Sequence, residues 1–366
     1  MIHGHGGNIY ALAGRLGCDA VDIIDMSSNI NPLGMPPGLM QALQTQLDAA
    51  GLLPEVDGRA MIDGMADLLG VAPDRMLAGN GTTQFIYSAC EALGASRVLI
   101  VGPTYADYGD ACRMFGIDPQ VFLLDPDADF RFDGEKFSRL AEGCDTIFIC
   151  NPNNPTAGLV DVDILQHLCR SHADVCFVID ESYLPFVPAG HAASMAGCGL
   201  DNVVVLWSAS KIFGLPGLRV GFLIASDPIR SRFAHYMQPW CVNSLAQAAI
   251  RYLTGTKKQT LDFMERTRGY LEQERRLFQL RLATCPDLRL YPSMTSYFLM
   301  QLPRSLKAGA LCDQLARHRL LIRDCSNFFG LSDRFVRVAL KSSAVNRMAA
   351  ERLAAAISGK PVVFSA

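Results

Sequence analysis

Six short apolar runs, separated by polar clusters and segments of helical period, limit the possible folds of this chain more than any other feature. They are RVLIV (97–101), QVFLL (120–124), TIFIC (146–150), VCFVID (175–180), VVVLW (203–207) and LRVGFLIA (218–225). Strands that are apolar on both faces need cover on both, and intervening stretches such as DVDILQHLCRSHA (161–173) have the amphipathic spacing to provide it. The pattern predicts an α/β fold around a mostly parallel sheet. Only residues 208–217 separate the last two runs, short of the roughly dozen residues a parallel crossover takes, so the final strand is expected to run antiparallel.

From about residue 244 the pattern changes. A long amphipathic stretch (256–283) is followed by strand-like YFLMQL (297–302) and RFVRVAL (334–340) and by a closing helical segment (345–358). These predict a smaller α+β domain completed by the N-terminal arm. The expected division is a large domain over 38–243 and a small one made of 1–37 with 244–366. The length of 366 residues, half of them apolar, suits two such domains.

A net charge of −3 without a basic patch argues against nucleic acid as a partner, and no apolar stretch nears the roughly 18 residues needed to span a membrane. The twelve cysteines are scattered singly, without metal-ligand spacing, and MIHGHGGNIY lacks the apolar core of a secretory leader. Reduced thiols, no metal and a cytoplasmic location are therefore expected.

Five polar clusters mark strand ends: NGTTQ (80–84), GPTYADY (102–108), NPNNPTAG (151–158), DESY (180–183) and SASK (208–211). Each alone is ordinary turn chemistry. Together they converge on the crevice where open parallel sheets bind ligands. Gly81, Thr82 and Thr83 can open a helix whose N–H groups receive a phosphate, with Ser208, Ser210 and Arg219 adding donors. Lys211, desolvated and near cationic Arg219, suits a nucleophile for an aldehyde. Asp180 closes an apolar strand and needs a cationic partner, such as a protonated ring nitrogen. Asn154 and Tyr183 can reach a ring hydroxyl, and Tyr105 can lie on an aromatic ring, although taken singly it reads better as a core tyrosine. A phosphate, an aldehyde, a pyridine nitrogen and a phenolic oxygen describe pyridoxal phosphate.

The motifs S-x-S-K-x-x-G-L-P-G-L-R-x-G, N-P-N-N-P-T, D-E-x-Y, G-P-T-Y and N-G-T-T resemble those of the class I and II aminotransferase superfamily of fold type I. The resemblance covers essentially the whole chain. It implies a seven-stranded, mostly parallel sheet in the large domain, with Lys211 bonded to the cofactor, Asp180 on its ring nitrogen, and Tyr183 with Asn154 on its ring oxygen. It also implies Tyr105 stacked on the ring, Thr82, Thr83, Ser208, Ser210 and Arg219 around the phosphate, and Arg337 on the substrate carboxylate.

HGGNIY (5–10), SSNINPLGMP (27–36), QPWCVNSLA (238–246) and LIRDCSNFFGL (321–331) are similar to the threonine-phosphate decarboxylase subgroup. That similarity implies His5, Gly6, Gly7, Asn8, Asn29 and Asn31 over a small phosphorylated amino acid, with Arg323 towards its phosphate; Arg323 reads equally as a surface strand arginine. It further implies a homodimer and a product destined for the cobalamin nucleotide loop. A histidinol-phosphate-type aminotransferase and a serine-phosphate decarboxylase are the alternatives. The chain departs from the family in three places. Leu53 stands before Pro54 where a tyrosine is usual, which would weaken cofactor binding. Ala157 replaces a glycine, which would alter the turn after Asn154. Tyr183 and Ser296 differ from the residues common in the decarboxylase subgroup.

Overall fold

The structure, a computed structural model, describes residues 6–188, 190, 192–285 and 287–360. Its centre is a seven-stranded sheet: β1 (Met76–Gly79), β2 (Val98–Gly102), β3 (Gln120–Leu123), β4 (Thr146–Cys150), β5 (Cys176–Asp180), β6 (Val203–Ser208) and β7 (Gly221–Ala225), in the spatial order β1-β7-β6-β5-β4-β2-β3. Every residue of β2, β4, β6 and β7 is buried, as two-sided cover demands. β7 runs antiparallel to both neighbours, and the other pairings are parallel. The short 208–217 connection thus has the expected consequence. β1 is absent from the apolar runs because four residues, MLAG, carry too little pattern to register.

The chain winds outward from β2 to β3, then returns to place β4 on the other side of β2. That reversal is the switch point at which the loops after β2 and β4 diverge and leave a crevice. The segments after β1, β5 and β6, and the residues before antiparallel β7, open onto the same edge.

A second, antiparallel sheet consists of β8 (Arg289–Leu290), β9 (Tyr297–Gln301), β10 (Arg323–Asp324) and β11 (Phe335–Ala339), in the order β10-β11-β9-β8. The 26-residue helix Lys257–Leu282 packs against the closing helix Ser343–Ile357. The N-terminal segment joins this region, because Ile24–Asp25 pairs in parallel with Leu320–Leu321. One apolar core runs from Met26 through both sheets to Ala356, and a second fills the other face of the large sheet beneath the helices Gly81–Leu93 and Ala106–Met114. Among the described residues no helix is long and apolar enough to cross a membrane.

Candidate active site

A cavity of about 500 Å³ lies over the switch point. Its phosphate-like end is the start of the helix Gly81–Leu93. Asn80 precedes that helix without capping it through its side chain, so the first N–H groups remain available to an anion. Gly81 has φ +73°, and a Cβ there would lie 2.7 Å from Nη2 of Arg219. Only glycine lets the guanidinium come so close. Thr82, Thr83, Ser208, Ser210 and Arg219 line the same end.

Opposite them, Asp180 is buried at the end of β5. Its Oδ1 accepts from the Ser182 N–H at 2.9 Å and its Oδ2 from the Tyr108 hydroxyl at 2.8 Å. Burial pushes its pKa up, against the pull of those two donors and of the Lys211 charge. A cation beside it would restore its charge. Tyr108 stands in the quoted GPTYADY cluster but received no role from sequence. One turn beyond Tyr105, it shares that residue's helix face, meets its ring edge-on at 5.8 Å and stacks on Phe148 at 5.5 Å. The Tyr108→Phe variant keeps this packing and removes one hydrogen bond to a charged group. Cofactor affinity is expected to fall by about 1.5 to 3 kcal/mol, roughly tenfold to a hundredfold in Kd, in equilibrium titration. Unchanged affinity would show that Ser182 alone orients Asp180.

Lys211 extends from the one-turn helix Ala209–Ile212 into the cavity. Burial, then the charges of Arg219 and Arg337, push its pKa down to about 8, with Asp180 opposing them. The amine is thus far closer to its nucleophilic, neutral form at physiological pH than a solvated lysine. Tyr183 is buried beside Tyr297, and its hydroxyl accepts from Asn29 Nδ2 at 3.3 Å. Arg337 donates through Nη1 to Asn154 Oδ1 and through Nη2 to the Ser27 carbonyl at 2.6 Å, with its guanidinium 5.3 Å from the Tyr297 ring centroid. Among the described residues, two of the buried polar atoms without a hydrogen-bond partner belong to residues that line the cavity: Arg337 Nε, a donor, and Asn29 Oδ1, an acceptor. Buried polar groups are normally paired, so such atoms point to a ligand.

Gly6, Gly7, Asn29, Asn154, Tyr105, Arg323 and Arg337 also border the cavity. Two expected substrate contacts do not. Asn8 is the N-cap of the helix Ile9–Leu16, accepting from the Ala11 N–H at 3.0 Å. Asn31 is buried behind Lys211, with its amide bonded to Ile212 and Thr267. Asn8 spends its amide oxygen on the helix start, and Asn31 spends its amide on Ile212, Thr267 and Leu33. His5 lies outside the described residues. The cavity wall also includes Asp25, Ser27, Ser28, Asn327 and Phe328, to which sequence assigned no role. The quoted SSNINP and CSNFFGL stretches were the only signal for four of them, and Asp25 lies outside both.

The turn after Asn154 survives the loss of its glycine. Ala157 takes φ +60° itself, with its N–H on Asn153 and the Asn153 N–H on Gly158. Leu53 is exposed and does not reach the cavity.

These residues fit pyridoxal phosphate. An uncapped helix start with a glycine cradle could receive its phosphate, the buried Asp180 carboxylate its ring nitrogen, and the half-buried Lys211 amine its aldehyde. Among the described residues no group of three or more His, Cys, Asp or Glu is placed to hold a metal ion.

Comparison with known proteins agrees. Residues 21–355 match the family model described as aminotransferase class I and II. The chain is 33% identical to the threonine-phosphate decarboxylase of Salmonella typhimurium, over 96% of this chain and 95% of that protein. It is 26% identical to the histidinol-phosphate aminotransferase of Methanocaldococcus jannaschii, over 90% and 88%. Its fold matches the crystal structure of the L-threonine-O-3-phosphate decarboxylase from Porphyromonas gingivalis with a TM-score of 0.81 and 28% identity, covering 92% of this chain and 99% of that one. The chain belongs to the class I and II aminotransferases, a family of pyridoxal-phosphate-dependent enzymes.

Proposed function

We propose that this chain converts L-threonine O-3-phosphate to (R)-1-amino-2-propanol O-2-phosphate and CO2. One observation carries the reading beyond its family. Arg323 and Arg337 are direct cross-strand partners in β10 and β11, and both border the cavity. Like charges placed opposite each other on a sheet repel, so the pair favours a ligand bearing two anionic groups. Threonine phosphate has a carboxylate and a phosphate. Histidinol phosphate has a phosphate only, and the pair of anions on the 2-oxoglutarate of the alternative reading is left to the product assay.

When bound, pyridoxal phosphate supplies an electron sink into which the electrons of one broken bond at the substrate Cα can delocalise. Asp180 would hold positive charge at its ring nitrogen, and Tyr183 and Asn154 would hold its ring oxygen. Arg337, fixed by Ser27 and Asn154, orients the substrate carboxylate, and that orientation selects which bond at Cα breaks. Lys211 Nζ is placed to deliver the proton that takes the place of CO2 on Cα, giving an amine of the stated product. The resemblance to the decarboxylase subgroup supports a role for that aminoalcohol phosphate in the cobalamin nucleotide loop.

We also assign a homodimer. Leu52, Leu53, Val56 and Trp240 are exposed large apolar side chains on adjoining segments, tied by the Trp240 N–H to the Val56 carbonyl at 3.1 Å and the Ser244 hydroxyl to the Leu52 carbonyl at 3.3 Å. A patch of this kind calls for cover by another protein surface, here a second copy.

The test is a parallel product assay. Release of CO2 from threonine phosphate is expected, with serine phosphate, one methyl smaller, poorer by about 1 to 3 kcal/mol in kcat/KM. Amino transfer from histidinol phosphate to 2-oxoglutarate, without CO2 from threonine phosphate, would overturn the reading.

A further inference from the structure

Lys211 sits on a helix of only four residues, Ala209–Ile212. One turn is marginal by itself: Phe213 and Leu215 close on the Ala209 and Ser210 carbonyls at 3.2 and 3.0 Å, but Gly214 reaches the Lys211 carbonyl only at 3.4 Å, and the Ile212 carbonyl is met from outside the turn. Two of those carbonyls are bound from outside by a single residue. The Asn31 backbone N–H donates to the Lys211 carbonyl at 3.1 Å, and its side-chain Nδ2 donates to the Ile212 carbonyl at 2.6 Å. The second proton of Nδ2 goes to Thr267 Oγ1 at 2.9 Å, and Oδ1 accepts from the Leu33 N–H at 2.9 Å. The Thr267 hydroxyl donates onward to the Phe263 carbonyl at 3.0 Å, within the helix Lys257–Leu282.

Both protons of Asn31 Nδ2 are therefore used and Oδ1 accepts one bond, which fixes the orientation of the amide. A flipped amide would set Oδ1 against the Ile212 carbonyl, two acceptors face to face. Asn31 and Thr267 are both buried, so water cannot replace the bonds they make. The contact continues along the backbone: a Cβ on Gly214 would lie 2.7 Å from the Gly34 carbonyl oxygen, which lets the 31–34 strip and the lysine turn touch directly. The segment just before this strip has two further ties, from Ser27 to Arg337 and from Asn29 to Tyr183.

We propose that Asn31 is a positioning residue for Lys211, capping the one-turn helix that carries it and fastening that helix to Thr267. The inference rests on Lys211 being the cofactor lysine. Asn31 touches neither cofactor nor substrate; it acts by fixing the Cα from which the Lys211 chain extends. Misplacing a reacting group by about 1 Å costs on the order of a hundredfold in rate.

The experiment compares wild type, Asn31→Ala and Thr267→Val as holoenzymes. Thr267→Val keeps the shape and removes the acceptor, so it serves if Asn31→Ala fails to fold. Asn31→Ala is expected to lower kcat about tenfold to a hundredfold, with KM changed by less than about threefold. The pH midpoint of the visible absorption of the bound cofactor is expected to shift by about half a unit or more, since Nζ moves relative to Arg219 and Asp180. Thr267→Val should move both readouts in the same direction by less. Borohydride trapping and peptide mapping of the wild type check the premise separately: label elsewhere than Lys211 removes the functional reading, and this inference with it. With wild-type label on Lys211, variants that keep the wild-type pH midpoint, or lose kcat only in proportion to their unfolded fraction, would overturn the inference alone.

Discussion

The Lys211→Met variant is expected to lose turnover by about 10⁴-fold or more, since on the proposed function a single group would serve as covalent anchor and proton carrier. Borohydride should then label no residue. The same substitution should stabilise the cofactor-free protein. The folded-state pKa of Lys211, about 8, lies below its ordinary value of 10.5, so the unfolded chain binds a proton that the folded chain resists. The resulting penalty is full below about pH 8, shrinks as pH rises from there, and is gone above about 10.5. Water in the open cavity softens it. We expect Lys211→Met to gain about 1 to 3 kcal/mol at pH 7, and the gain to vanish near pH 10.5. Urea unfolding of both cofactor-free proteins at the two pH values measures it. An equal or lower midpoint for the variant at pH 7 would mean that the amine is well solvated and carries no such strain.

Asp180→Asn should weaken cofactor binding by about 3 to 5 kcal/mol, two to four orders of magnitude in Kd, because removing one partner leaves the buried ring cation uncompensated. Without cofactor the variant should be no less stable than wild type. Asp180 is buried with a raised pKa, so its ionisation costs stability as pH rises from the ordinary carboxylate range through that higher value, and asparagine does not ionise. Equilibrium titration with pyridoxal phosphate reads the first effect and urea unfolding the second. Affinity within about threefold of wild type would remove Asp180 as the partner of the ring nitrogen. The two variants separate the roles: one loses covalent attachment, the other electrostatic grip.

Much of the cavity was legible because its signals are local. Gly81 must turn left-handed, Asp180 must end an apolar strand, and Ser208 to Lys211 must follow one; such constraints act on neighbours in the chain. Tyr108, Asn8 and Asn31 were not legible. A tyrosine near a helix start reads as core, and Tyr108 is core on its Phe148 side; only its hydroxyl, 2.8 Å from Asp180, gives it a further role. Asn29 and Asn31 are indistinguishable in SSNINP, yet one borders the cavity and the other faces Thr267, 236 residues away.

From its own sequence this chain determined β2 to β7, the antiparallel reversal at β7 and the set of polar strand ends, because apolar periodicity and turn chemistry work over a few residues. Tertiary structure alone decided which amides meet a ligand and which are spent on the protein. An asparagine side chain carries the same two donors and one acceptor oxygen anywhere, and the segment packed beside it determines where they go.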